Sequence, residues 1–271
     1  MILDDFRITD QVAIVTGGGA GIGRGCAVAL AEAGANVVVA ARTKADLDDT
    51  VRQIEQTGRN GLAVVTDVMI EDDLANLVRT TVEQFGRLDI LVNNAGGTAP
   101  RPAMDTSAEY FSTALQFNAT APFLLSRIAA QAIVDTDGTG AIVNISSRSG
   151  DMVMTNMAAY AAGKAALNMT TFNLAAELAP RVRVNAIGVG GIATQAMDFV
   201  VGNEALRTQF EQNTPMGRVG TPRDIAAAVV YLGSPASSWV TGVFLRVDGG
   251  TTAPAFNIPV PPLQARVEPV A

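Results

Sequence analysis

Tyr160 and Lys164 stand four residues apart in a stretch that reads as one long helix, Ala158 to Leu178, stopped by Pro180. That spacing puts both side chains on one face, about a turn apart. A tyrosine hydroxyl titrates near 10, too high for efficient acid/base work at neutral pH. A nearby ammonium stabilises the phenolate and lowers that value. The same spacing also describes an ordinary pair on a helix surface, so the surroundings must decide. Asn144-Ile145-Ser146-Ser147 closes an apolar run just upstream. In open α/β sheets ligands sit beyond the carboxyl ends of strands. A serine hydroxyl there can hydrogen-bond a substrate oxygen; a serine-rich turn is the plainer reading. Near the start, Thr16-Gly17-Gly18-Gly19-Ala20-Gly21-Ile22-Gly23 follows the first apolar run and opens a helix. Glycines allow a tight turn and let the backbone approach a pyrophosphate, and the helix N-terminus adds free N–H groups. The spacing is GxxxGxG rather than the more usual GxGxxG.

Other chemistries are excluded by composition. The 271 residues include no histidine, which removes every histidine-containing zinc site and every Ser-His-Asp or Cys-His mechanism. No metal site is expected. The one cysteine, Cys26, cannot form an intrachain disulfide and reads as a small buried apolar residue. The formal net charge is −7, without a Lys/Arg cluster, which argues against a nucleic-acid partner. Hydrophobic residues make up 48% of the chain, ample for a sizeable core, yet no run reaches the roughly 18 apolar residues of a membrane span. Met1 to Asp10 has no apolar signal-like region, so the reading is a cytoplasmic protein.

The elements that must position these residues alternate. Apolar runs at Val12–Val15, Asn36–Ala41, Leu62–Val65, Leu88–Val92, Ala141–Ile145, Val182–Ile187 and Val243–Val247 read as strands. Between them lie helical patterns: Cys26–Ala33, Ala45–Thr57, Asp72–Phe85, two helices' worth in Ala108–Val134, the long helix, and one from Pro222 to about Leu232. Strands separated by helices predict a Rossmann-type, doubly wound parallel sheet of about seven strands in a single α/β domain, residues 1–253. Ala196 to Thr221 is the longest piece without a strand and the natural lid. A Pro-rich tail, 254–271, follows; it is either a loose end or packed on a neighbouring subunit.

In order and on these elements, the Thr16–Gly23 loop, Asp67-Val68, Asn93-Asn94-Ala95-Gly96, Asn118, Ser147, Tyr160-x-x-x-Lys164 and Asp248-Gly249-Gly250 resemble the short-chain dehydrogenase/reductase family, from about Thr9 to Gly250. The resemblance implies hydride transfer between a nicotinamide and a carbonyl carbon. It implies Tyr160 as general acid/base and Lys164 as the group that lowers its pKa and binds the nicotinamide ribose. Ser147, thirteen residues before the tyrosine, would polarise the substrate oxygen, with Ser146 the alternative. Asn118 would shape the active-site helix and hold a relay water. For the cofactor, it implies Gly17, Gly21, Ile22 and Gly23 at the diphosphate, Asp67 and Val68 at the adenine, and Asn94, Ala95 and Gly96 along the channel. Ile192 and Thr194 would hold the carboxamide and diphosphate end. A homotetramer is likewise implied. Where relatives commonly have Pro-Gly, this chain has Gly188-Val189-Gly190-Gly191, for which greater backbone mobility is expected.

The second strand ends without the acid that usually binds a ribose diol, and Arg42 follows instead. A planar guanidinium suits a 2′-phosphate, which favours NADP, with NAD possible; a solvent-facing loop arginine is the plainer reading. Against NADP, Ala20 stands where many NADP-using relatives carry a second basic residue. The substrate is expected to be a ketone or secondary alcohol, bulky and apolar like a hydroxysteroid. Met152, Met154, Met197, Phe199 and Val200 fall on segments that would line its pocket, though core packing accounts for them nearly as well. The alternatives are a 3-oxoacyl-carrier-protein reductase and a non-catalytic dinucleotide-binding protein.

Overall fold

A computed structural model describes residues 1–255, 259–260 and 262–263. Seven strands form one parallel sheet: β1 Val12–Thr16, β2 Asn36–Ala41, β3 Gly61–Val65, β4 Ile90–Asn93, β5 Gly140–Ser147, β6 Val182–Val189 and β7 Phe244–Val247. Their order is β3-β2-β1-β4-β5-β6-β7. The central strands are largely apolar because both faces are covered. Ala13, Val15, Val37 and Val39 face a layer built from α1 (Gly21–Glu32), α2 (Lys44–Gln56) and, after a long interval, a helix at Pro222–Gly233. Ile14, Val38 and Ala40 face the opposite layer, with α3 (Glu71–Phe85), Leu125 to Ile133, and Leu174. Cys26 lies inside the first layer, its thiol pushed up to about 12 by burial, in keeping with an apolar role.

The chain reverses its direction of sheet growth between β1 and β4, which opens a crevice at the strands' carboxyl ends. There α4 (Ala108–Leu115) runs through a single π-helical turn, Gln116–Thr120, into α5 (Ala121–Thr136). The long helix is α6, Ala158–Leu178. The expected lid carries two short helices, α7 (Asp198–Val201) and α8 (Glu204–Gln212), before α9 (Pro222–Gly233). Among the described residues no helix is long and apolar enough to cross a membrane.

Several boundaries move. β5 runs two residues past its expected end, through Ser147, because Ser146 and Ser147 pair in register with Gly188 and Val189 of β6. α1 begins at Gly21, five residues early, since the glycine turn itself coils into the helix. The glycines at 188–191 also differ from expectation. They are sites of close approach rather than of mobility. A Cβ at Gly188 would strike the Phe244 ring, one at Gly191 the Phe210 ring, and one at Gly190 would come 2.7 Å from the Cα of Asp248. The Gly190 and Gly220 amides are hydrogen-bonded, to the Val247 and Gly191 carbonyls.

Candidate active site

The glycine loop turns on two left-handed residues, Gly17 (φ 64°) and Gly21 (φ 53°), a region most side chains avoid. Gly23 must also be bare, because its Cβ would collide with the Gly17 carbonyl and the Asn94 amide. Asn94 ties the loop to the end of β4, its Nδ2 donating to the carbonyls of Thr16 (2.9 Å) and Gly17 (3.2 Å). Thr16 Oγ1 accepts from the Asn94 and Ala95 amides, both at 3.0 Å. At the N-cap of α1, Ala20 offers no side-chain acceptor. The first amides of that helix, from Gly21 to Gly23, thus end in a cleft without a side-chain cap, the arrangement that accepts an anion.

One cleft, of about 600 Å³, extends from Gly17 past Ala41, Arg42, Asp67 and Val68 to Ala95, Gly96, Tyr110 and Phe117. The Asp67 carboxylate accepts from the Met69 amide (3.0 Å), which shapes the turn after β3. Arg42 is exposed on the rim. Its neighbour Lys44 is already paired with Asp48 at 2.7 Å.

A second cleft, of about 470 Å³, adjoins the first at Asn94, Gly96 and Gly97 and brings together Gly21, Ile22, Gly23, Ser147, Tyr160, Lys164, Ile192 and Thr194. Lys164 is 4% exposed, and its Nζ donates to the Ile145 carbonyl at 2.8 Å. Burial lowers its pKa to about 8. It lies 5.9 Å from the centre of the Tyr160 ring. The expected depression of Tyr160 is not realised in the protein by itself: burial raises its pKa, and the opposing influence is a hydrogen bond with Ser147. The two candidate serines separate, since the Ser146 hydroxyl donates to Asn168 Oδ1 (2.5 Å) on the α6 side. Asn118 is fully buried. Its Oδ1 accepts from the Gly97 amide (2.9 Å), and its Nδ2 donates to Gly97, Thr98 and Ala114 at 3.0 to 3.2 Å. It therefore braces the loop after β4. Thr194 lies beside Gly21 across the cleft.

Of the five apolar residues expected around the substrate, Met154 and Met197 line this cleft. Met152 does not, and Val200 packs with Phe210 and Ala255 in a separate small core. The Phe199 side chain lies outside the described residues. Sequence reading missed Thr98, Pro100, Met157 and Gln195, which also line the cleft, and the buried Arg148. Loop residues carry no periodicity that tells a wall from a surface.

A family model described as enoyl-(acyl carrier protein) reductase matches residues 17–252. The chain is 45% identical over 263 residues to an uncharacterized oxidoreductase of Mycobacterium tuberculosis (strain CDC 1551 / Oshkosh), covering 97% of this chain and 100% of the relative. It is 38% identical over 248 residues to the 7alpha-hydroxysteroid dehydrogenase of Escherichia coli (strain K12), covering 91% and 96%. A solved 7 alpha-hydroxysteroid dehydrogenase complexed with NADH and 7-oxo glycochenodeoxycholic acid superposes with a TM-score of 0.88 at 38% identity, covering 92% of this chain and 97% of that one. A short-chain type dehydrogenase/reductase from Mycobacterium marinum gives 0.88 at 35% identity, covering 94% and 100%.

Proposed function

The chain belongs to the short-chain dehydrogenase/reductase family and is an NAD(P)-dependent oxidoreductase; from that premise we propose that it interconverts a bulky apolar ketone and its secondary alcohol, with NADP as the preferred cofactor. The observation that carries the reading is the meeting of Ser147, Tyr160 and Lys164 with the uncapped end of α1 in one cleft.

The residues fit a dinucleotide. The amides of α1 and the bare glycines suit its diphosphate, and Asp67, Val68, Ala95 and Gly96 suit the adenosine. Arg42, with no acid at the end of β2, suits a 2′-phosphate. When bound, the nicotinamide supplies or accepts the hydride. Tyr160 gives the proton to the ketone oxygen, or takes it from the alcohol, and Ser147 hydrogen-bonds that oxygen. Lys164 would bind the ribose of the cofactor, and its ammonium, together with the positive charge of an oxidised nicotinamide, would draw the Tyr160 pKa down toward the working range. Met154, Met157, Met197 and Pro100 form an apolar wall that a steroid-sized substrate would fill.

Paired fluorescence titrations with NADPH and NADH test the cofactor. NADPH should bind more tightly, and Arg42→Ala should weaken NADPH at least ten-fold more than NADH; equal losses refute the role of Arg42. A screen with 7-oxosteroids, and with 3-oxoacyl thioesters for the carrier-protein alternative, tests the substrate. An acidic carrier suits a chain of net charge −7 less well.

A further inference from the structure

We propose that Arg148 is a positioning residue that pins the turn aiming the Ser147 hydroxyl at Tyr160. The inference rests on reading Ser147 and Tyr160 as the reacting pair. Arg148 follows Ser147 directly and is 7% exposed, a rare state for an arginine. A buried charge persists only when paired. Here Nε donates to Asp151 Oδ1 (2.8 Å), and Nη1 donates to Asp248 Oδ2 and to the Thr251 carbonyl (3.1 Å). One guanidinium thereby joins the end of β5 to the loop after β7, two strands away. That loop is itself held: Asp248 packs on the bare backbone of Gly190, the Gly190 amide donates to the Val247 carbonyl (3.1 Å), and the Met216 amide donates to the Gly249 carbonyl (3.1 Å). Arg246 holds the other oxygen of Asp151 at 2.8 Å.

Ser147 is followed at once by a tight turn, Arg148–Gly150, with residues 151–157 completing the path to α6. Its Ser149 amide donates to Ser147 Oγ at 3.1 Å. That bond occupies one lone pair and leaves the hydroxyl proton and the other lone pair for Tyr160 and the substrate. Gly150 presses on α6, where a Cβ would come 2.9 Å from the carbonyl carbon of Lys164. The turn is therefore seated between the serine and the helix that carries the tyrosine and lysine. Its only charged anchor is Arg148, which itself lines neither cleft.

Removing the cation alone would strand the Asp248 carboxylate, so the test uses Arg148→Met/Asp248→Asn together, and separately Arg148→Lys. The readout is the ionisation midpoint of Tyr160, followed by phenolate absorbance in stopped-flow pH jumps that outrun unfolding. Subtracting the Tyr160→Phe trace removes the other two of the three tyrosines. The measurement needs neither cofactor nor substrate. Ser147→Ala should raise the midpoint by roughly one pH unit. Arg148→Met/Asp248→Asn should reproduce most of that rise. Combining all three substitutions should add nothing further, because both routes remove the same bond. Arg148→Lys keeps the charge but not the fork and should give an intermediate rise; it carries the test if the paired variant does not fold. A midpoint unmoved in a folded variant, or shifts that simply add, would overturn the proposal. Expected midpoints in a protein that binds no nicotinamide would instead refute the proposed function and leave the positioning standing.

Discussion

At the scale of single residues, chemistry and burial pull Tyr160 in opposite directions. Its hydroxyl is held protonated by burial and loosened by Ser147. On the proposed mechanism, turnover depends on the tyrosine oxygen itself, not on its ring. Tyr160→Phe should bind NADPH within about two-fold of wild type, yet lose at least a hundred-fold in kcat, the range general acid/base catalysis spans. Steady-state kinetics with a 7-oxosteroid beside a fluorescence titration checks both halves, and retained kcat would discard the mechanism. Much at this scale was legible. Tyr160, Lys164 and Ser147 stood out through the family resemblance of the motifs taken together, since their spacing alone also fits a surface pair and a serine-rich turn; the fold brings all three into one cleft. Arg148 did not, because a lone arginine after a strand looks like a surface residue until β7 is known to lie two strands away.

At the scale of elements, packing decides what looked like flexibility. The run Gly188-Val189-Gly190-Gly191 invites a hinge reading, but each glycine is the floor of a close contact. The two readings differ in sign for Gly190→Ala. A hinge would be stabilised by about 0.4–1 kcal/mol through the unfolded chain. A contact floor would be destabilised by about 1–3 kcal/mol, because the Cβ meets the backbone of Asp248. Urea denaturation should show the loss; a gain would restore the hinge. The strands themselves were legible as predominantly apolar runs, since a parallel sheet is buried on both faces. Their polar extensions were not: Ser146 and Ser147 pair with β6 through backbone, to which hydropathy is blind. The first turn of α1 was hidden likewise, by glycines that are poor helix formers.

At the scale of the whole molecule, one buried charge leaves a mark on stability. Lys164 releases its proton near 8 when folded, against an ordinary 10.5. Between those values the unfolded chain binds more protons than the folded one, so the contribution of Lys164 rises with pH across that window and is lowest below 8. The stability of wild type relative to Lys164→Met should therefore improve from pH 8 to 10.5 in urea titrations of the cofactor-free protein. A flat difference would mean that the lysine stays charged. The doubly wound sheet was legible from alternation alone. Which apolar side chains face a ligand was not, as Val200 and Met152 illustrate: a residue beside a cleft and one inside a small core carry the same hydropathy.

The π-helical turn at Gln116–Thr120 gives the site a dependence on chain length as well as on side-chain identity. Each residue turns a helix by about 100°, so the extra residue in that turn sets the phase between α4 and α5. Asn118 sits at its centre, holding Gly97 and Thr98 while bound back to Ala114. Shortening this stretch by one residue, even an alanine, would swing the asparagine around the helix axis and leave the loop after β4 without its brace. Here an insertion or deletion is a graver change than most substitutions, and the count of residues is itself part of the catalytic design.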